Sequence, residues 1–295
     1  MANPPGISQS VYDDLVRYTK YSSGAYQILC PRPMGNTLVL QFTDVLTSTQ
    51  GFVVRDDKRK EIIVAFRGSQ NISHVLLDSQ ILMSPLNIPG LSQADDARVH
   101  SGFLFAFNSV ASTVLNTVKV QFNAHPAYSL ISTGHSLGGS LASIGAISMK
   151  SNFPNAHVKL FTFGQPRTGN GAFATLVEHI LSPSNIFRAV HTFDGVPTML
   201  SPQLGYVHHA TEYWQFIEPP SPKNVKQCSG GEDPDGSASV RESKIPLIPL
   251  FHCLHNQFSG QQPPELTFLI WFISVKPYHW IQQSVCRLFV ITHSE

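Results

Sequence analysis

The sequence predicts an α/β domain in which helices cover a mostly parallel central sheet. From His100 onward, apolar runs typical of strands alternate with longer segments whose apolar residues recur at helical spacing, and this alternation is typical of parallel sheets. The chain has 295 residues, of which 42% are hydrophobic and only 13% are charged, so it can bury one large core. In such sheets the reactive side chains gather at the carboxyl ends of the strands.

The first part of the chain predicts one helix followed by three strands. Residues 9–26 carry apolar side chains at helical spacing after Ser8 and Ser10, a residue type that favours helix starts. Segments 37–42, 51–55 and 61–66 have the alternation and composition of strands, and the charged turn 55–60 predicts that the last two form a hairpin.

The second part predicts helices and strands in alternation. A long helix follows His100, and its apolar stripe is interpreted as a core face. The stripe comprises Phe103, Phe107, Val110, Val114 and Val118. The remaining predicted elements are a strand around 130–131, a helix over 137–151, a strand over 157–163, a helix over 172–181 and a strand over 185–191.

A Gly-x-Ser-x-Gly pentapeptide joins the strand at 130–131 to the helix of small residues that follows it. Its members are Gly134, Ser136 and Gly138, and in this context the pentapeptide predicts a nucleophile elbow, a strained turn that exposes a serine hydroxyl. Glycine is expected at the flanking positions because backbone passes too close for a Cβ atom. The N–H of Leu137 and the positive end of the helix would then face an oxyanion formed on a substrate attacked by Ser136. The alternative is a helix-start turn without chemistry.

A serine nucleophile needs a histidine to take its proton and an acid to orient that histidine. When the serine lies on such an elbow, the chain order is serine, then acid, then histidine. Asp194 follows the strand at 185–191 and is therefore the candidate acid. The alternative interpretation of Asp194 is a turn-forming residue before Gly195.

Six blocks, in order, resemble the fungal lipase family of class 3, a branch of the α/β-hydrolases. They are Val64-Ala-Phe-Arg-Gly-Ser69, Val99-His-Ser-Gly-Phe103, Gly134-His-Ser-Leu-Gly-Gly139, Phe163-Gly-Gln-Pro-Arg-Thr-Gly-Asn170, Asp194-Gly-Val-Pro197 and Glu212-Tyr-Trp214. The resemblance covers roughly residues 9–231 and implies an α/β-hydrolase fold with Asp194 as the acid. It also implies that the backbone N–H of Ser69, and its hydroxyl, complete an oxyanion hole with Leu137.

The resemblance implies a triacylglycerol lipase that transfers an acyl group from a lipid ester to Ser136, with no metal or organic cofactor. Two alternatives stay open, a feruloyl or other soluble-ester esterase and a catalytically impaired protein of the same fold. The family also implies a lid between residues 70 and 89. Here 71–78 has the pattern of a short amphipathic helix that could close over the site and meet a lipid–water interface. A helix packed permanently on the core is the alternative.

Several partners are excluded by composition. The net charge of +1 and the absence of long basic runs argue against nucleic acid. No apolar run reaches the roughly 18 residues of a membrane span, so no transmembrane anchor is expected. The N-terminal residues lack the pattern of a signal peptide, whereas the family resemblance implies an extracellular protein.

The catalytic histidine is not evident, because the family's block His-x-x-Tyr/Phe-Phe-Gly is missing after the loop that begins at Cys228. We therefore divide the chain into a hydrolase domain, 1–240, and an atypical, poorly ordered tail, 241–295. Codons for 241–243 can contain a splice-donor sequence, and codons for 265–272, read in a shifted frame, can encode most of the missing block. We hypothesise a retained intron with a change of frame, which would have removed the true base.

The remaining histidines and cysteines are assigned provisionally. His252 and His255, 58 and 61 residues after Asp194, are the nearest substitutes for the base. The other histidines near the motifs are expected to be structural: His100, His135, His191, His208 and His209. The family resemblance implies that Cys30 pairs with a cysteine near the C-terminus, for which Cys286 is a possible partner.

Overall fold

The computed structural model of the chain describes residues 6–69, 81–240 and 285–286. The predicted lid at 71–78 lies outside the described residues. So do His252, His255 and all of the predicted tail except 285–286.

The structure contains one large sheet, one small sheet and four α-helices among the described residues. The helices are α1 (Gln9–Gly24), α2 (Ser101–Ala124), α3 (Leu137–Asn152) and α4 (Gly171–Leu181). The strands are β1 (Thr37–Asp44), β2 (Thr49–Asp56), β3 (Glu61–Phe66), β4 (Met83–Pro85), β5 (Arg98–His100), β6 (Ser129–His135), β7 (Val158–Phe163), β8 (Gly169–Asn170), β9 (Ile186–His191), β10 (Tyr206–Val207), β11 (Glu212–Gln215) and β12 (Val225–Gln227).

The large sheet has eight strands in the order β1-β2-β3-β6-β7-β9-β11-β12. Strands β3, β6, β7, β9 and β11 run parallel to one another, whereas β2 and β12 run antiparallel to their neighbours. We call the edge at which these five parallel strands end the carboxyl edge. Because β1 is antiparallel to β2, it also ends there, and the β1–β2 turn lies at the carboxyl edge.

Helices cover both faces of the large sheet. The apolar faces of α2, α3 and α4 pack on one side, where Ile62, Val64 and Phe66 of β3 are buried. The apolar face of α1 packs on the other side against Ile63 and Ala65, the alternate residues of the same strand. This alternation is the expected pattern for a sheet buried on both faces.

The ends of α1 are fixed by a cap and, beyond the helix, by a disulfide. The Ser8 hydroxyl accepts a hydrogen bond from the N–H of Val11 at 3.3 Å, which satisfies one of the unpaired amides at the helix start. Cys30 is bonded to Cys286, with the two Cα atoms 4.7 Å apart. Val285 and Cys286 are both buried against this side of the domain.

The predicted helices and strands are confirmed, with ends that move by a few residues. The predicted stripe of α2 is buried at all five positions, which also explains its membrane-like composition. Among the described residues α2 is the one helix long and apolar enough to span a bilayer, and half of its most apolar window is buried inside the domain. The small four-stranded sheet, in the order β10-β8-β5-β4, was not predicted, because its strands are only two or three residues long.

Candidate active site

Ser136 lies on the tight turn between β6 and α3, at the carboxyl edge. Its φ of +56° is a left-handed value that non-glycine residues rarely adopt. The turn is stabilised by two hydrogen bonds, from the N–H of Ser136 to the carbonyl of Phe163 and from the N–H of Gly139 to the carbonyl of Ser136, both 2.9 Å. The hydroxyl of Ser136 is buried and has no hydrogen-bond partner among the described residues. The turn therefore holds this hydroxyl at the end of the strand without a partner among the described residues, but the hydroxyl is buried and not exposed as the pentapeptide predicts.

The two glycines of the pentapeptide are required by close backbone contacts. A Cβ atom at Gly134 would lie 2.1 Å from the carbonyl oxygen of Gly138, and one at Gly138 would lie 2.3 Å from the carbonyl oxygen of Phe66. Either clash involves main-chain atoms that cannot rotate away. The expected reason for glycine at both positions is confirmed, because α3 starts in contact with the ends of β6 and β3.

The segment after β3 brings Gly68, the residue before Ser69, against the nucleophile elbow. A Cβ atom at Gly68 would lie 3.3 Å from the Cβ of Ser136 and 2.5 Å from the carbonyl oxygen of His135. Gly68 thus lets this segment pass directly against the turn. Arg67 fixes it from the other side, through hydrogen bonds from its guanidinium to the Gln50 side chain at 2.7 Å and to the Ser48 carbonyl at 2.8 Å.

Tyr26 joins the same two segments from α1's side of the sheet. Its hydroxyl lies 2.7 Å from Nδ1 of His135, and a Cβ atom at Gly68 would come within 2.2 Å of it. Burial raises the pKa of Tyr26, so the hydroxyl stays protonated at physiological pH. No local pattern indicated this contact, because Tyr26 and His135 are 109 residues apart.

Asp194 lies two strands along the sheet from Ser136, in the loop after β9. Its Oδ1 accepts a hydrogen bond from the N–H of Val196 at 2.9 Å. A Cβ atom at Gly164, the residue after β7, would lie 2.6 Å from Oδ2 of Asp194 and 3.6 Å from Nε2 of His135. Since the carbonyl of Phe163 holds the N–H of Ser136, the carboxylate lies over the strand end that also supports the serine.

The loop that carries Asp194 is fastened by groups from distant parts of the chain. Nε2 of His208 donates to the carbonyl of Pro197 at 2.7 Å, and Nη1 of Arg167 donates to the carbonyl of Thr198 at 3.2 Å. Arg167 is in turn held by both carboxylate oxygens of Glu232, at 2.7 and 2.9 Å. The resemblance blocks included Arg167 but gave no reason to connect it with this loop.

The buried histidines of the described residues are poor proton acceptors. Burial lowers the pKa of His135 to about 3, and the pKa values of His100 and His209 to about 4. Burial also lowers the pKa of His208 well below its ordinary value, with smaller contributions from Arg188 and Arg167. A general base needs a pKa near the working pH, so these four side chains fit the structural roles expected of them.

An eight-stranded, mainly parallel sheet with a serine on a strained strand-to-helix turn defines an α/β-hydrolase. The comparisons with known proteins narrow this class. The family model described as Lipase (class 3) matches residues 63–204. The secreted alkaline triacylglycerol lipase of Penicillium cyclopium is 30% identical over 230 residues, which cover 78% of this chain and 79% of that protein. The chain belongs to the class 3 lipase family.

Two further comparisons agree with this family. A lipase of Rhizopus niveus is 34% identical over 180 residues, 60% of this chain, and the match spans 44% of that protein's length. The crystal structure of a triacylglycerol lipase from Penicillium expansum superposes with a TM-score of 0.72 at 28% identity, covering 79% of this chain and 90% of that one.

Proposed function

We propose that this protein is a serine hydrolase that cleaves carboxylic esters of lipids, with triacylglycerol as the substrate class. The observation that carries the proposal is the hydroxyl of Ser136, which lies on a turn at φ +56° and bonds to none of the described residues. The hydroxyl attacks the ester carbonyl, the alcohol leaves, and water then releases the acyl group from the serine. Two of the relatives support the substrate class, since the alkaline lipase of Penicillium cyclopium and the lipase of Penicillium expansum are named triacylglycerol lipases.

The oxyanion formed in each step is stabilised by two backbone amides, those of Leu137 and Ser69. Leu137 is the first residue of α3, where the amides have no carbonyl within the helix to bond and the helix dipole is positive. The close approach of Gly68 to Ser136 supports the adjacent Ser69 as the second donor. Loss of one such donor costs on the order of 3 kcal/mol of transition-state stabilisation.

Asp194 serves as the acid of the triad. A histidine of residues 241–295 serves as the base if that segment is native to the protein, whereas the base is absent from this chain under the retained-intron hypothesis. The low pKa values of His135, His208 and His209 support this choice. His252 and His255 are the candidates in this chain, and both lie outside the described residues. In the retained-intron hypothesis, residues 1–240 form the hydrolase domain, the tail 241–295 replaces its native end, and the base is lost.

Export from the cell and a lid at 71–78 that meets a lipid surface complete the proposal. Export is supported by the secreted relatives of Penicillium cyclopium and by the disulfide between Cys30 and Cys286, a bond that persists in oxidising compartments. The lid is supported by the family resemblance and by the amphipathic pattern of 71–78.

The experiment that tests the function compares two substrates at equal enzyme concentration, emulsified triolein and soluble p-nitrophenyl acetate. A lipase hydrolyses triolein faster than the soluble ester, and Ser136→Ala abolishes both activities. Faster turnover of the soluble ester would favour the feruloyl or soluble-ester alternative instead. A protein that hydrolyses neither ester, and whose Ser136 does not react with a phosphonate, would be the catalytically impaired alternative.

A further inference from the structure

Several exposed apolar side chains of the described residues lie at the carboxyl edge of the large sheet. Four of them form two neighbouring tips, with exposed fractions of 93% for Ile28, 59% for Leu29, 84% for Val45 and 94% for Leu46. Val45 and Leu46 lie on the β1–β2 turn, at the carboxyl edge that also carries Ser136. We call these four residues the apolar rim.

Other exposed apolar residues extend the same edge. Phe193 and Ile217 follow β9 and β11, and Phe105 lies in the first turns of α2. The direction of α2 is fixed at both ends, because Thr49 bonds to the carbonyl of Ala106 at the carboxyl edge and Arg55 bonds to Gln121 at the opposite edge. Val120 is the exposed apolar residue of α2 that lies at that opposite edge.

The first tip, which carries Ile28 and Leu29, is held to the sheet through its backbone. The side chain of Gln41 donates to the carbonyl of Ile28 at 2.6 Å, and that of Gln50 donates to the carbonyl of Gln27 at 2.8 Å. These polar groups are satisfied by the protein rather than by water, so the tip presents mostly hydrocarbon outward.

The second tip, which carries Val45 and Leu46, is also held by hydrogen bonds to its backbone. Oδ1 of Asp44 accepts from both the N–H and the hydroxyl of Thr47, each at 2.8 Å. Arg67 donates to the carbonyl of Ser48 at 2.8 Å. Arg67 also begins the Arg67-Gly68-Ser69 segment that packs beside Ser136, so the second tip and the elbow are coupled through one side chain.

We propose that the apolar rim inserts into the surface of an ester lipid and holds the protein with its carboxyl edge facing that surface, in addition to the predicted lid. The proposal rests on the proposed function, because a hydrolase of lipid esters meets its substrate as an insoluble phase. Apolar side chains with exposed fractions of 59% to 94% fit a fluid surface, which closes around projecting hydrocarbon. A protein partner, in contrast, requires roughly 800 Å² of complementary surface on each side, whereas the rim is four side chains on two separate turns.

The experiment measures adsorption to triolein droplets in the Ser136→Ala background, in which the lipid stays intact. The rim variant is Val45→Ser with Leu46→Ser, and the control is Val120→Ser, the substitution of one exposed aliphatic residue at the opposite edge. The protein left in the aqueous phase after flotation of the droplets gives the partition coefficient. Removing two aliphatic side chains from contact with lipid is expected to lower this coefficient by about tenfold or more, whereas Val120→Ser leaves it unchanged.

Two further measurements separate the alternatives. In the active protein, the ratio of triolein turnover to p-nitrophenyl acetate turnover is expected to fall with adsorption in the rim variant. Equal adsorption of the rim variant and the parent would overturn the proposal. So would a parent protein that sediments as a dimer, if the rim substitutions dissociate the dimer but leave adsorption unchanged. If the rim variant adsorbs more weakly than the parent but the active protein hydrolyses neither ester, the role of the rim in adsorption is supported and the proposed function is wrong.

Discussion

Both carboxylate oxygens of Glu232 bind the guanidinium of Arg167, with Nε–Oε1 and Nη2–Oε2 distances of 2.7 and 2.9 Å. Through this pair, Arg167 holds the carbonyl of Thr198 in the loop that begins at Asp194. Oε1 of Glu232 also accepts a hydrogen bond from the backbone N–H of His208 at 2.9 Å. The ring of His208 in turn donates to the carbonyl of Pro197. One carboxylate therefore fixes both supports of the loop that carries the proposed acid.

The substitution Glu232→Gln is expected to lower the free energy of unfolding by about 1 to 3 kcal/mol at pH 7, because it removes a charged acceptor from a buried arginine. Burial by itself would raise the pKa of Glu232, but the hydrogen bonds from Arg167 and the His208 amide outweigh it and lower the pKa below 4.5. The stabilisation is therefore complete above pH 4.5 and is lost as the pH falls through the lowered value. Urea unfolding at pH 7 and at pH 3 measures it.

The matched control for Glu232→Gln is Asp14→Asn, which breaks the surface pair with Arg59. We expect Asp14→Asn to lower the free energy of unfolding by less than about 1 kcal/mol, because this pair lies at the surface. Two results would contradict the role given to this carboxylate. One is a Glu232→Gln protein as stable as its parent at pH 7, and the other is a difference in the free energy of unfolding that grows toward pH 3.

Asp194→Asn is expected to lower kcat on soluble esters by about 10⁴-fold, because an amide neither stabilises a charged histidine nor selects its tautomer. The Michaelis constant should change little, since the carboxylate does not contact the ester. Initial rates on p-nitrophenyl acetate measure both quantities. The control is Asp57→Asn, which changes an exposed carboxylate in the β2–β3 turn at the opposite edge. If Asp194→Asn were as active as Asp57→Asn, Asp194 would not be part of the triad.

Gly138→Ala is expected to destabilise the fold by about 3 kcal/mol or more, because the added Cβ would lie 2.3 Å from the carbonyl oxygen of Phe66. Gly171→Ala is the matched control at the start of α4, where the nearest atom to an added Cβ lies 4.0 Å away. Thermal unfolding should show a lowered midpoint for the first variant only. Equal midpoints would mean that α3 does not start in contact with β3.

Replacement of Cys30 and Cys286 by serine is expected to lower the free energy of unfolding by about 2 to 5 kcal/mol, because the bond closes a loop across 256 residues. Denaturant unfolding of the double variant and its parent measures the difference. Peptide mapping without reductant should recover the two cysteines as one cross-linked pair, with Cys228 as a thiol. Recovery of Cys286 as a free thiol would contradict the assigned pairing.

Sequencing of the transcript tests the retained-intron hypothesis. A spliced message is expected to lack the codons for residues 241–264 and to encode, in another frame, a histidine block followed by a cysteine. A mature message that still encodes 241–295 would refute the hypothesis. In that case His252→Ala and His255→Ala are the variants to compare, and one of them should reduce kcat as strongly as Asp194→Asn.

Most of the fold could be predicted because its signals are local. The stripe of α2 and the strand–turn–helix context of Ser136 depend on residues within one or two turns of one another. Chain order and strand ends led to Asp194, and the structure places this residue in the loop after β9, while its role as the acid stays a prediction. Tyr26 and Glu232 could not be predicted, since each acts on a residue more than 60 positions away, and such side-chain contacts exist only once the sheet has formed.

The nucleophilicity of Ser136 is the central claim, and covalent labelling tests it most directly. The protein is incubated with a fluorophosphonate and digested, and the modified peptide is identified by mass spectrometry, with Ser136→Ala as the blank. We expect a single adduct on Ser136, formed at an enzyme-like rate and slowed by Asp194→Asn. A protein whose Ser136 stays unmodified while the fold is intact, or whose adduct lies on another serine, would contradict the assignment of a serine hydrolase.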